Sequence, residues 1–469
     1  MYSMKVIDQI IRNRFLGSEM ELHHTYEPIV RFINYRTPTA YGRVNFIDAG
    51  DTCNVSLDDS SIKETVLHLL SEIQHDNNYS IRSRGELSDF IGTNEQLVRT
   101  LYGGSAGQIL LLKKSDTDDL FVRKVAARFG VEGNGSPKLQ AEIRFLLEIN
   151  KREECKGLTE LYPKVIDHSE TDRFITLDQE YVGEGKNVFT MLAEHKITQH
   201  EHVQYFNALL ASLIPNGYAL DFRRVPEDES LEQLEDYYLR RAEGRIRFLQ
   251  NCDDFDMDFP ATKTTTLPNL IQREKFELNG VAYENPLTIF TKIKNDNKIA
   301  DMLRPRTESF CAHGDMTFLN MVFDTNNKAY RLIDNRGHIG NWDALYDFGK
   351  LKFTLSGFGK VMLKEFDLSE GASGAFTLKL TGGKEGRGAI NSLNKSFFDD
   401  IATNSEFQGL IEHEPYWRER ILFAEAIHYL ADIPHRLLLD QSPKHAVGVF
   451  LLGTKYLNEL YNSLVKSDE

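Results

Sequence analysis

The chain is short of cysteine, of unbroken apolar stretches and of positive charge, and each shortage excludes something. Among 469 residues there are 4 cysteines, Cys53, Cys155, Cys252 and Cys311, with no CxxC pair and no histidine at zinc-ligand spacing. That usage excludes a disulfide framework and points to a reduced, cytoplasmic compartment. The longest apolar candidate, Ala446 to Gly453 (AVGVFLLG), falls far short of the ~20 residues of a membrane span, so no membrane span is expected. Charges are interspersed through Met1 to Gly17, which therefore lacks the apolar core of a signal peptide. Lysine and arginine total 55 against 70 acidic residues, a formal charge of −15. Binding a nucleic-acid backbone needs clustered cations, so no nucleic-acid partner is expected.

What is present is globular. Hydrophobic residues make up 41% of the chain, with 29 Phe and 19 Tyr, which excludes a largely disordered protein. At roughly 150 residues per domain, two or three units are expected. The first hundred residues mix short apolar runs with turns. Pro28 to Ile33 and Arg43 to Ile47 read as strands, Asp48 to Asp51 as a turn, and Ser60 to Ile73 as a helix with apolar residues at helical spacing. From Leu101 the glycine-rich LYGGSAG precedes an apolar run, a polar turn and the strand Leu120 to Ala126. Lys138 to Asn150 carries Leu139, Ile143, Leu146 and Leu147 on one helical face, and Phe174 to Val182 reads as a strand. The second half is mainly helical, with a long charged helix over Glu227 to Gln250, a polar loop over Asn251 to Pro268, and closing helices over Leu410 to Leu439 and Phe450 to Val465.

The chemistry concentrates in Cys311 to Gly337, CAHGDMTFLNMVFDTNNKAYRLIDNRG. His313-Gly314-Asp315 is followed five residues later by Asn320, then by a hairpin turning at Asp324 to Lys328 that delivers Asp334. Phosphoryl transfer needs a carboxylate to orient and deprotonate an attacking hydroxyl, which Asp315 supplies. It also needs hard oxygen ligands for Mg²⁺ between phosphates, which Asn320 and Asp334 supply. A lone HGD is an ordinary loop in most sequences, whereas the full spacing is far more restrictive.

This segment resembles the catalytic core of the aminoglycoside phosphotransferase and choline kinase-like family. With Trp342 to Leu351 (WDALYDFGKL) it is similar to a subset from bacterial capsule and surface-polysaccharide clusters, which carries an IDPRG-like motif and then YDLAKL. The resemblance runs from Leu101 to the C-terminus and leaves out residues 1–100. It implies an α+β, bilobal protein-kinase-like fold, with a β-rich nucleotide-binding N-lobe over 101–182 and a helical C-lobe over 183–469. The first hundred residues would be an additional small α/β unit of unknown role. The implied cofactors are ATP and Mg²⁺, with Asp315 as catalytic base and Asn320 and Asp334 as metal ligands. Lys124 matches the lysine holding the α- and β-phosphates and Glu142 its ion-pair partner, Glu148 being the alternative. Gly103, Gly104 and Gly107 match the phosphate loop, and Glu180 and Val182, within Gln179 to Val182, the adenine-binding hinge. Asn335 stands where the subset has proline. Arg336 is open to a role on phosphate, on an anionic acceptor, or in a salt bridge to Asp343 or Asp347, and Asp347 is expected to brace the catalytic loop.

The expected activity is therefore transfer of a phosphoryl group to an alcohol of a small molecule, a sugar or polyol of surface-polysaccharide synthesis. Tyr237, Arg241, Arg245, Trp342 and the acidic Asp253 to Asp258 loop are candidate acceptor contacts. Two other readings stand beside it. One is a kinase-fold scaffold without turnover, and the other a kinase or nucleotidyl transferase acting on a protein.

Overall fold

A computed structural model describes residues 90–101, 108–127, 136–171, 174–182, 186–220, 222–248, 267–336, 342–362, 364–371, 373–381, 388–438 and 443–468, and the backbone of four strands before them. It is a mixed α+β structure, β-rich first and helical afterwards. The chain divides into two units, Met1–Ile143 with Lys164–Tyr181, and Arg144–Pro163 with Val182–Glu469. Among the described residues no helix is long and apolar enough to cross a membrane.

In the first unit, β1 (Glu19–His23), β2 (Phe32–Arg36), β3 (Tyr41–Asp48) and β4 (Cys53–Leu57) form an antiparallel meander. The strand expected at Arg43 to Ile47 falls inside β3, while that expected at Pro28 to Ile33 overlaps β2 only at its end. The helix expected at Ser60 to Ile73 lies outside the described residues.

A second sheet follows in the order β5 (Glu95–Leu101), β6 (Gln108–Lys114), β7 (Leu120–Ala127), β9 (Phe174–Glu180), β8 (Val165–Glu170), antiparallel throughout. This sheet therefore begins at Glu95. The expected hairpin is the β6–β7 pair, and the segment holding Gly103, Gly104 and Gly107 connects β5 to β6 but lies outside the described residues. Side chains alternate across a strand. Phe121 and Val125 of β7 enter the core with Leu110, Leu112 and Phe90, and Lys124 points to the other face. Arg123 fastens three strands, since its guanidinium donates to Asp178 at 2.6 and 2.7 Å, to Glu95 at 2.7 Å and to the Phe90 carbonyl. Helix α1 (Ser136–Lys151) enters between β7 and β8.

The second unit is built around the helices Trp417–Leu438, Pro443–Asp468 and Ala344–Leu355. The first of the closing helices expected from the sequence is divided, Ser405–Ile411 and Trp417–Leu438, with Pro415 between. The residue before a proline is pushed away from helical backbone, which ends the first segment. The second starts at Pro443, earlier than its apolar periodicity suggests, with proline at its first turn. One small sheet lies outside the expectations drawn from the sequence: its strands run Val281–Glu284, Lys275–Leu278, Phe376–Leu380, Phe366–Glu370. The charged helix runs from Glu227 to Phe248, and Leu234–Arg240 within it is π-helical.

Candidate functional site

In the first unit, Lys124 Nζ lies 2.7 Å from Glu142 Oε1, with side-chain exposures of 11% and 4%. A buried ammonium is costly unless paired, so this contact fixes the lysine against α1. Glu148 is not that partner; it accepts from Arg152 one turn away at 3.2 Å. Glu180 ends β9, opposite Phe121, and its carboxylate accepts from the Lys164 amide at 3.3 Å. Val182, two residues beyond the end of β9, is buried in the second unit.

In the second unit the expected hairpin is present, Met321–Asp324 against Ala329–Leu332, with Asp324 capping the turn amides of Asn326 and Asn327. The segments on either side of it are tied together. The Ile333 amide donates to the Asn320 carbonyl at 3.0 Å, and the Arg336 amide donates to the His313 carbonyl at 2.9 Å. Asn320 Nδ2 donates to the Asp315 carbonyl at 2.9 Å. With its nitrogen so engaged, the amide oxygen of Asn320 is left as an acceptor. Asp334 follows in left-handed backbone, φ 58°.

His313 shapes this loop. Its Nδ1 accepts from the Asp315 amide at 3.2 Å, and its Nε2 lies 3.0 Å from the Ile333 carbonyl. The first contact requires a bare Nδ1, so the ring is neutral with its proton on Nε2, donating to Ile333. Gly314 has φ 72°, and a Cβ there would stand 3.0 Å from the Arg336 Cβ. Glycine is needed on both counts.

Asp347, on the helix Ala344–Leu355, is fully buried beneath the loop. It accepts from the amides of His313 at 2.7 Å and Met316 at 3.4 Å and from the Tyr218 hydroxyl at 3.0 Å. The amides on either side of Gly314 and Asp315 are thus held by one carboxylate, the bracing role expected of Asp347. Burial pushes that carboxyl up to about 7 against the opposing pull of its three donors. Asp315 itself is a quarter exposed and its Oδ1 lies 2.9 Å from Lys350 Nζ.

Arg336 makes neither of the two salt bridges open to it from the sequence. Asp343 caps the Ala344–Leu355 helix through the Leu345 amide at 2.9 Å and pairs with buried Arg420 at 2.6 Å, which also binds Glu414. Arg336 instead donates to the Tyr346 hydroxyl at 3.3 Å. Arg241 donates to the same oxygen. The π-helical stretch brings its neighbours to this place as well: Tyr238 donates to Asp343, and Tyr237 stacks on Trp342 with ring centres 4.2 Å apart. Burial pushes the Tyr346 phenol up, but the charges of Arg241, Arg336 and Lys350 outweigh it and the net shift is downward. Burial and then repulsion by Arg336 bring Arg241 down to about 10. Arg245 follows Arg241 one turn along the same helix, and the Asp253 to Asp258 loop lies outside the described residues.

Sequence reasoning missed Lys350, Tyr346, Tyr218 and His428. Tyr346 and Lys350 stand within the motif that carries the resemblance, one helical turn apart, and that spacing is a signal that could have found them. Tyr218 and His428 come from distant helices and leave no local signal.

The donor set suits magnesium. Among the described residues no group of three or more His, Cys, Asp or Glu could hold a metal ion. Mg²⁺ uses one or two protein oxygens plus phosphates and waters, so a pair such as Asn320 and Asp334 is an appropriate half-site. Neither a protein-family model nor a curated protein matches the chain.

Proposed function

We propose that the protein is an ATP- and Mg²⁺-dependent phosphotransferase that moves the γ-phosphoryl group to a hydroxyl of a small molecule, a sugar or polyol used in surface-polysaccharide synthesis. One observation carries the reading: the loop holding Asp315 is fixed at the His313 and Met316 amides by Asp347, and Asn320 is hydrogen-bonded back onto the Asp315 carbonyl. A base so positioned, beside hard oxygen donors, serves a reaction whose catalysis is mainly positioning and charge stabilisation. The buried Lys124–Glu142 pair adds support, on the third strand of a five-stranded sheet and the helix after it, where a phosphate-holding lysine and its partner belong.

In this reading Asp315 takes the proton as the acceptor oxygen attacks the γ-phosphorus, and ADP leaves. Asn320 and Asp334 would hold Mg²⁺, which would supply neutralising charge at the phosphates. Lys124, held by Glu142, meets the α- and β-phosphates. Gly103, Gly104 and Gly107 would lie over the phosphates, and Glu180 and Val182 near the adenine. His313, engaged at both ring nitrogens, takes no part in the proton transfer.

Mg-ATP added to the full-length protein should raise its melting temperature, since a ligand bound by the native state stabilises it. Asp315→Ala and Asp334→Ala should each abolish nearly all ADP formation. An unchanged melting temperature with Mg-ATP would refute nucleotide binding. Binding without turnover in the wild type would favour the scaffold reading, and phosphate appearing on protein but on no small molecule the protein-acceptor reading.

A further inference from the structure

Three cations converge beside Asp315 in a protein with a formal charge of −15. Arg241 and Arg336 both donate to the one Tyr346 hydroxyl, and Lys350 pairs with Asp315 at 2.9 Å. Among the described residues no carboxylate forms an ion pair with Arg241 or Arg336. A single phenol oxygen is a poor counterpart for two partly buried guanidiniums, whose planar forks match the paired oxygens of carboxylate and phosphate. Of the nearby acids, Asp315 is already matched by Lys350, and Asp347 is occupied by two amides and Tyr218. His428 stands edge-on to Tyr346 at 4.4 Å, and neither of its ring nitrogens has a hydrogen-bond partner among the described residues. The cluster thus carries an excess of about two positive charges and several unused donors.

Its position says which anion it serves. Arg336 lies against Gly314, next to the proposed base, and Arg241 comes from the 227–248 helix rather than from the Asn320–Asp334 hairpin. In the phosphotransferase reading, charge on the nucleotide phosphates would fall to Lys124 and to Mg²⁺ at Asn320 and Asp334, and the group next to the base would be the acceptor.

We infer that the acceptor carries a phosphate or carboxylate beside its reacting hydroxyl, and that Arg241 and Arg336, arrayed around Tyr346, bind that anionic group. The inference rests on the phosphotransferase reading for the word acceptor, but the anion site itself does not.

The test uses the full chain and defined probes. Calorimetric titration without nucleotide compares glycerol 3-phosphate with glycerol, and glucose 6-phosphate and glucuronate with glucose. The phosphorylated or carboxylated member of each pair should bind and its neutral counterpart should not, and whichever of the two anion types binds more tightly identifies the source. Arg241→Gln should weaken that binding by about tenfold or more, the loss expected of a charge-assisted hydrogen bond, and Arg241→Lys should restore part of it. Should Arg241→Gln fail to fold by circular dichroism, Arg336→Gln replaces it. ADP release with each pair then reads the preference for the anionic acceptor, which should collapse toward one in Arg241→Gln. Stabilisation by Mg-ATP with no preference for any anionic probe would overturn the inference and leave the kinase reading intact. Anion binding lost in Arg241→Gln, together with no response to Mg-ATP, would sustain the anion site and refute the kinase.

Discussion

Asp347 offers a sharp test of how the base-bearing loop is held. Its carboxyl titrates near 3.8 when exposed and is pushed up to about 7 by burial. The folded protein therefore binds a proton there more tightly than the unfolded chain does. Stability is highest below the unfolded value and is lost as pH rises through the window from about 4 to about 7. Stability falls by about 1.36 kcal/mol for each pH unit crossed inside that window, so the whole loss is about 4 kcal/mol, and roughly 2–3 kcal/mol of it falls between pH 5 and pH 8. Asp347→Asn removes the titration. An amide also turns a donor toward either the Met316 N–H or the His313 N–H, so the variant carries a constant penalty as well. The informative quantity is consequently the pH dependence. Urea denaturation at pH 5, 6, 7 and 8 should show the wild type losing about 2–3 kcal/mol more than the variant. Parallel curves would refute the argument, meaning that the three donors to this carboxylate outweigh its burial and keep it ionised throughout. In either case loosening the 313–316 loop should lower turnover by more than it raises KM for ATP.

Two further substitutions test individual contacts. Glu142→Gln leaves Lys124 buried beside a neutral partner and should cost about 3–5 kcal/mol in denaturant unfolding, with the Mg-ATP melting shift reduced; a loss below about 1 kcal/mol would show the pair to be solvated. Gly314→Ala meets a left-handed backbone and the Arg336 side chain, and should cost about 1–2 kcal/mol while depressing activity disproportionately; a silent substitution would mean that the loop relaxes freely.

The legible part of the site was the part written within a few residues. The hairpin from Met321 to Leu332 follows from two apolar runs around DTNNK, and its turn is stabilised by the Asp324 side chain two and three residues away. α1 follows from apolar spacing, and Lys124 from its place on a strand. Pro415, which divides a helix, and Asn279-Gly280, which turns the hairpin of Lys275–Leu278 and Val281–Glu284, were local signals passed over, whereas the joining of that hairpin to Phe376–Leu380 and Phe366–Glu370 in one sheet was not legible. That sheet joins segments nearly a hundred residues apart, including a parallel pairing of Leu278 with Phe376.

Sequence alone determined the order of chemistry-bearing residues and the local elements that carry them: Lys124 before a helix with Glu142, Asp315 before Asn320, and a hairpin before Asp334. Tertiary structure decided which charges meet. It assigned Glu142 rather than Glu148 to Lys124, gave Asp343 to Arg420, and turned Arg336 to Tyr346 beside Arg241. It also set the Tyr218 hydroxyl on Asp347, 129 positions along the chain. Periodicity encodes which face of a helix is buried, but a buried charge is satisfied only by whatever donor the packing of distant helices brings within about 3 Å.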